Sequence, residues 1–388
     1  MKEITNRKLL KISILSVSLL PIMAATAVAP ILGSIGDTFI NTNPTLIKMI
    51  LTIPAIMTIP VSLLSGRLAS ILNKRYILIV GILFYWLGGF LPYFSNNIYT
   101  LLFYRAFLGV GVGLILPLST SIIADFFDGD EREKMIGLSS AWNNIGGAIA
   151  VLLSGILGRL SWRYSFGTYL IAIFPLIMVI FILPEPKRIE NNKKTIKSIM
   201  NKALITVFMK MLLFYMIFYV LPTNIALFLK SENLGSTNAA AFFIASTSFM
   251  SFVTGLYFSK IIIKLKNYSE LSGWVAMFLG FLILSLSHSV IFLFIAVLVM
   301  GFAFAILFPL FLIDTTKYAP KYANAFALSI VGSFGLLGQF LSPIIVNAIG
   351  NIIGISSARF SFQFSAIACF IVIVPLYFSN IRYSLISK

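Results

Sequence analysis

The sequence predicts an all-α membrane protein with twelve transmembrane helices in two pseudo-symmetric six-helix bundles. Three observations carry that expectation. Hydrophobic residues make up 59% of the 388-residue chain and charged residues 11%, whereas soluble domains hold about 45–50% and about 25%. There is too little charge to clothe a water-soluble surface, so the surplus apolar area must face lipid. The apolar residues gather in twelve runs, each near the roughly 20 residues that cross about 30 Å of hydrocarbon. The last six runs also echo the first six.

The runs lie near residues 12–33, 46–65, 77–94, 101–123, 135–157 and 166–183, then 208–229, 239–258, 271–287, 291–313, 324–348 and 361–379. With the N-terminus inside, 23 of the 29 Lys and Arg fall in cytoplasmic segments, as the positive-inside rule requires. Lys48, Arg159, Arg163, Lys230 and Arg359 are left on the outer side, and Arg105 alone lies deep within a run. A missed or extra helix would scramble this bias. Both termini are therefore expected in the cytoplasm, and the location in a plasma membrane, a bacterial inner or cell membrane. The first run has a basic start and an Ala27-Val28-Ala29 stretch like a signal-peptide cleavage site. Pro30 follows it, and cleavage would leave eleven helices, so it is read as a retained span.

Residues 185–207, rich in Lys and Asn, form the one long polar stretch. They divide the chain into a bundle at 1–184, a basic cytoplasmic linker at 185–207 and a bundle at 208–388. At a separation of 192, Pro30 meets Pro222, Gly109 meets Gly301, Pro117 meets Pro309, Gly146 meets Gly338 and Gly158 meets Gly350. At 189, Gly66, Ser70 and Arg75 meet Gly255, Ser259 and Lys264. Gly and Pro are what close helix packing and helix bends demand, so their recurrence points to one architecture used twice. Such repeats place a substrate site near the bilayer midplane.

Several function classes fall away. The net charge of +17 sits in short gaps between apolar runs, which argues against nucleic acid as a partner. The single cysteine, Cys369, permits neither an intrachain disulfide nor a Cys-rich metal site. No Walker loop and no catalytic constellation is found, so neither direct ATP use nor an enzyme is expected, and no cofactor or metal. The one histidine, His288, falls in the turn between the ninth and tenth runs. It reads as a solvated loop residue, with proton sensing as the alternative.

Four local patterns add to this. The loop after the second run reads Gly66-Arg67-Leu68-Ala69-Ser70-Ile71-Leu72-Asn73-Lys74-Arg75. The fourth run holds Arg105-Ala106-Phe107-Leu108-Gly109-Val110-Gly111-Val112-Gly113. The fifth run spaces Gly137, Gly146 and Gly155, and Trp162-Arg163-Tyr164-Ser165-Phe166 and Pro184-Glu185 bracket the sixth. Over essentially its whole length the chain resembles the major facilitator superfamily, and within it the twelve-helix drug:proton antiporter branch. The first pattern is similar to the family's Gly-x-Leu-x-Asp-Arg-x-Gly-Arg-Lys signature, with Gly66, Lys74 and Arg75 matching, Ser70 in place of Asp and Asn73 in place of Gly. The second is similar to its Arg-x-x-x-Gly-x-Gly pattern. The third matches its glycine-rich export motif in part, with Ala150, Val151 and Ser154 replacing Gly, Pro and Gly. The resemblance implies two bundles rocking in alternating access, efflux of drugs or metabolites coupled to protons, and conformational roles for Gly66, Lys74, Arg75, Gly109, Gly113 and Gly146. The expected partners are a small-molecule substrate, protons and membrane lipid, with the protein a monomer. A sugar or nucleoside carrier, and a membrane sensor that moves nothing, are the alternatives.

Charge inside hydrocarbon is costly and marks function by default. Arg105 is the one deep charge, about a turn below the outer surface, and Asp37 lies on the same side within possible reach. A pair opened by a proton or by substrate would be a coupling device; a snorkelling structural Arg105 is the other reading. Asp125 and Asp314 end the fourth and tenth runs on the cytoplasmic side. There they either cap and latch loops, Asp125 toward Glu131 and Arg132, or carry a proton. Neutral polar residues mark a cavity: Ser139, Ser140, Asn143 and Asn144 around Trp142, Tyr215 and Tyr219 one turn apart beside Phe214 and Phe218, and Gln339 with Ser342. Ser246, Thr247, Ser248, Ser251 and Thr254 stand on the eighth run. Interhelical hydrogen bonding is their simpler role. No carboxylate lies at the centre of a run, so a neutral, zwitterionic or weakly charged amphipathic substrate fits better than a polyvalent cation.

Overall fold

The computed structural model of the chain describes residues 7–186, 201–320, 324–355 and 357–386, and every regular element among them is helical. Most of the 185–207 linker and the side chains of Ser70 and Ser140 lie outside the described residues. Among the described residues, twelve spans are long and apolar enough to cross a membrane. Spans 1 to 6 are Arg7–Thr38, Pro44–Ala69, Lys74–Phe94, Ile98–Phe126, Lys134–Leu157 and Trp162–Phe181. Spans 7 to 12 are Lys202–Ser231, Thr237–Leu256, Phe258–Leu286, Val290–Tyr318, Phe326–Ile353 and Ala358–Phe378. The chain is a multi-pass membrane protein. Most spans outrun the apolar runs that predict them, because a helix continues into its polar flanks for as long as backbone bonds allow.

Internal contacts divide the chain into two units, Met1–Lys194 and Thr195–Lys388. In the first, span 4 packs on spans 2 and 3, span 5 on span 1, and span 6 on span 3. In the second, span 10 packs on spans 8 and 9, span 11 on span 7, and span 12 on span 9. The neighbour scheme is the same in both.

The repeat extends to atoms. A Cβ on Gly109 would run into the Pro54 carbonyl and Met57 of span 2, and one on Gly301 into the Thr247 carbonyl and Met250 of span 8. Each contact is sealed by a hydroxyl at the same relative position. Thr58 Oγ1 donates to Gly109 O at 3.1 Å, and Ser251 Oγ donates to Gly301 O at 2.8 Å. Gly146 likewise seats span 5 on the Leu19 carbonyl, and Gly338 seats span 11 on the Leu212 carbonyl. The prolines act as a pair too. Proline lacks an N–H and its ring clashes with the carbonyl four residues back. Helix in span 1 stops at Thr26, four before Pro30, and helix in span 7 stops at Phe218, four before Pro222.

Gly109→Ala and Gly301→Ala are expected to lower the thermal midpoint in detergent alike, each by an overpacking cost of about 1–3 kcal/mol. Gly66, around which an added Cβ meets nothing within 4 Å, supports no close approach, so Gly66→Ala should leave the midpoint unchanged or raise it. Equal tolerance of all three substitutions would refute the close-packing account.

Candidate functional site

Arg105 is fully buried, 0% exposed, and does not snorkel. Nε donates to Ile50 O at 2.8 Å, Nη1 to Tyr169 Oη at 2.7 Å and Nη2 to Ala24 O at 2.9 Å. The guanidinium also lies 5.5 Å over the Tyr169 ring. Tyr169 Oη donates to the same Ala24 carbonyl at 2.9 Å, and Tyr85 Oη donates to Leu20 O at 3.0 Å. Ala24 sits just before the break in span 1, so its carbonyl is open to these donors. One side chain of span 4 thereby ties the broken span 1 to spans 2 and 6. Asp37, exposed on the last turn of span 1, is not among Arg105's partners. The expected Arg105–Asp37 pair is replaced by neutral acceptors, because the fork of the guanidinium matches three oxygens that the bundle already presents. Lys48, read from the sequence as an outer flank, is a second deep cation, buried in span 2 and only 6% exposed.

The loop after span 2 and the start of span 3 form a clasp inside the first unit. Lys74 Nζ pairs with Asp125 Oδ2 at 2.6 Å and donates to Ser121 Oγ at 2.7 Å. The Glu185 carboxylate accepts the backbone N–H groups of Lys74 at 2.8 Å and Arg75 at 3.1 Å, capping the start of span 3 where the helix dipole favours a negative charge. Arg75 Nη2 reaches back to the Ile180 carbonyl. Asp125 thus latches the loop after span 2, not the loop holding Glu131 and Arg132. Glu131 pairs instead with Arg7 and, at 2.8 Å, with Lys11 at the start of span 1.

In span 5, Asn143 Oδ1 accepts Ile22 N at 3.0 Å, Ser139 Oγ donates to Ser18 Oγ at 2.7 Å, and Thr26 Oγ1 of span 1 donates to Gly147 O at 3.2 Å. These stitch span 5 to span 1, the interhelical role. Trp142 (39% exposed) and Asn144 are exposed on their part of the same helix. Gly113, in span 4, faces Val61 of span 2. In span 8, Ser246, Thr247 and Ser248 bond the carbonyls of their own helix.

The second unit holds an aromatic wall. Tyr215 and Tyr219 stack with centroids 5.7 Å apart, and Phe304 and Phe308 of span 10 stack at 5.4 Å. The two stacks meet at 6.2 Å, tilted by about 57°. Gly335 of span 11 makes room for the Tyr215 ring. Gln339, one turn along span 11, is only 4% exposed. Among the described residues neither its amide nor either tyrosine hydroxyl has a hydrogen-bond partner. Nothing at sequence level announced Phe304 and Phe308, which look like any other apolar residues of a span. Nearer the start of span 7, Lys210 Nζ pairs with Glu270 Oε2 of span 9 at 2.8 Å. Asp314, half-buried, lies in the field of that pair and of Lys317 and makes no ion pair or hydrogen bond among the described residues.

A model of the Major Facilitator Superfamily matches residues 13–343. The chain is 29% identical over 161 residues, 41% of its own length and 28% of the relative's, to the multidrug transporter protein MdtP of Bacillus subtilis (strain 168). It is 26% identical over 203 residues, 51% of each chain, to the multidrug efflux protein YfmO of the same organism. The match spans about a quarter to a half of the length of these relatives. In fold, the chain is similar to the nucleoside transporter NupG, with a TM-score of 0.80 at 14% identity over 95% of this chain and 99% of that one. It is also similar to a D-xylose-proton symporter, with a TM-score of 0.77 at 17% identity over 95% and 97%.

Arg105→Met is expected to destabilise the protein on the order of 3 kcal/mol, because it orphans buried acceptors. Arg105→Lys should recover little, since an ammonium cannot serve three directions as a fork. Thermal midpoints in detergent within a degree or two of wild type would remove Arg105 as the brace. The Lys11 hydrogen bond, with the field of Arg7, holds the Glu131 carboxyl below its ordinary value of 4.5. The resulting stability is present above that value and lost as pH falls through the lowered one. Glu131→Gln should therefore lower the midpoint slightly at pH 7 and not at pH 3; a gap of equal size at both pH values would contradict the ion-pair origin.

Proposed function

The chain belongs to the Major Facilitator Superfamily, and from that premise we propose that it is a secondary active transporter exporting a small amphipathic, aromatic molecule by alternating access in exchange for protons. The aromatic wall of spans 7, 10 and 11 carries this reading. Four rings in two tilted stacks offer flat, polarisable surface to a ring-bearing solute. The unbonded Gln339 amide beside them is the feature that packing alone does not explain. Its carbonyl oxygen and NH2 group are available to accept from and donate to a ligand's polar groups. Trp142 and Asn144, exposed on span 5 of the first unit, are the second set of proposed substrate contacts.

Asp314 is the proposed proton carrier. Lys210 and Glu270 pair with each other, which leaves Asp314 near the end of span 10 in the field of Lys317 but without an ion pair among the described residues, and one proton cancels its charge. Asp125 is engaged by Lys74 and serves the clasp with Arg75; Arg105 braces the first unit. The relatives named for multidrug transport and efflux support export of an amphipathic substrate, and the charge bias supports cytoplasmic termini.

The test is transport of a panel of aromatic dyes in proteoliposomes under an imposed pH gradient. Wild type should move at least one dye, and a protonophore should stop it. Tyr215→Ala and Gln339→Ala should each raise the half-saturating concentration about tenfold, equivalent to about 1.4 kcal/mol. Asp314→Asn should abolish gradient-driven movement while sparing dye exchange without a gradient. Dye transport indifferent to the gradient would remove proton exchange. Transport of a sugar or nucleoside with no dye movement would replace the export reading with a metabolite carrier.

A further inference from the structure

One end of the second unit holds a charged cluster that the transport reading does not use. Span 7 ends at Ser231 and Glu232 follows it; span 9 ends at Leu286, span 10 starts at Val290, and span 12 starts at Ala358. Arg359 Nη2 lies 2.8 Å from Glu232 Oε2, and Nε donates to Glu232 Oε1 at 3.1 Å. Nη1 donates to Ser285 O at 2.6 Å and Nη2 to Ser287 O at 3.4 Å. This one side chain therefore clasps the ends of spans 7, 9 and 12. His288 stands at the edge of the clasp with 73% of its side chain exposed. Its Nδ1 is 3.2 Å from Arg359 Nη2 and 3.4 Å from Glu232 Oε2.

That nitrogen cannot serve both neighbours at once. A neutral imidazole carries one N–H and one lone pair, and an imidazolium carries two N–H groups. With the lone pair on Nδ1, it accepts from Arg359. With a proton there, it donates to Glu232, and the guanidinium beside it loses an acceptor and meets a like charge. We propose that His288 is a proton-binding site that switches this clasp: taking up a proton from the medium bathing this end of the unit transfers part of Glu232 from Arg359 to His288 and loosens Arg359 from the turn between spans 9 and 10. The remaining charged residue in the sequence at these span ends is Lys230, on the last turn of span 7. The Arg359 hydrogen bond, with the fields of Arg359 and His288, holds Glu232 below the usual carboxylate range. Glu232 is then ionised throughout the interval in which imidazoles titrate, around pH 6.5.

The chain has a single histidine, so labelling with 13C,15N-histidine in lipid nanodiscs yields the spectrum of His288 alone. Between pH 9 and pH 5, the neutral form is expected to hold its proton on Nε2 with Nδ1 as acceptor. Glu232→Gln should lower the titration midpoint, and Arg359→Gln should raise it, each by about half a pH unit. A neutral form protonated on Nδ1 overturns the proposal with no variant needed, and so do unmoved midpoints in both variants. Hydrogen exchange reads the clasp itself. After correction for intrinsic rates, protection of residues 283–290 should fall in wild type from pH 8 to pH 5.5 and stay constant in His288→Gln. A constant wild-type profile would mean that the proton moves nothing, and would end the switch.

Discussion

A polar group inside a bilayer has no water to turn to, so the protein must supply every partner. In the first unit that requirement converges on Arg105. The break that Pro30 imposes on span 1 opens the Ala24 carbonyl, and a buried guanidinium needs acceptors. Each solves the other's problem, with Ile50 O and Tyr169 Oη completing the set. Tyr169 is placed by span 6 and Tyr85 by span 3, so the packing of most of the unit is organised around keeping one cation and one interrupted helix satisfied.

The second unit repeats the scaffold without the cation. Gly301 and Ser251 reproduce the Gly109 and Thr58 contact, Gly338 reproduces Gly146, and Pro222 breaks span 7 where Pro30 breaks span 1. The position equivalent to Arg105 is Val297, fully buried. In span 7 the helix restarts at once instead, with Thr223 N and Thr223 Oγ1 both donating to Tyr219 O, at 3.2 and 2.7 Å. Relieved of a polar hub, the space around spans 7, 10 and 11 fills with aromatic rings. The same backbone plan thus yields a charged brace in one unit and an apolar, ring-lined wall in the other.

Titratable chemistry is kept to the ends of the bundles. In the first unit the Lys74–Asp125 clasp with its Glu185 cap and the Glu131 ties to span 1 lie at span ends; in the second, the Lys210–Glu270 pair with Asp314 lies toward one end and Glu232, Arg359 and His288 lie at the other. A charge at a span end keeps part of its hydration, which lowers its cost. It can also exchange protons with water, which a charge at mid-depth cannot do directly. Apart from Arg105 and Lys48, the interior is left to neutral amides, hydroxyls and rings, a composition suited to solutes that carry little charge.

By itself the sequence determined the membrane, the twelve spans, the division into two similar bundles and the places where glycine and proline would matter. These follow from composition, run length and spacing, which are properties of a chain read in one dimension. It also marked Arg105 and Asp125 as residues needing partners, since a charge within or beside an apolar run must be answered. Which partners answer was decided by tertiary structure alone. Arg105 meets Tyr169 and two carbonyls and not Asp37; Asp125 meets Lys74 and not the loop that follows it; Asn143 is spent on Ile22, whereas Gln339 is left open. Hydrogen-bonding choices depend on which helix faces which, and at what height. That depends on side-chain packing across spans tens of residues apart, so no local pattern encodes it. The same reason hid Phe304 and Phe308, apolar residues among apolar residues until the fold set them against Tyr215 and Tyr219.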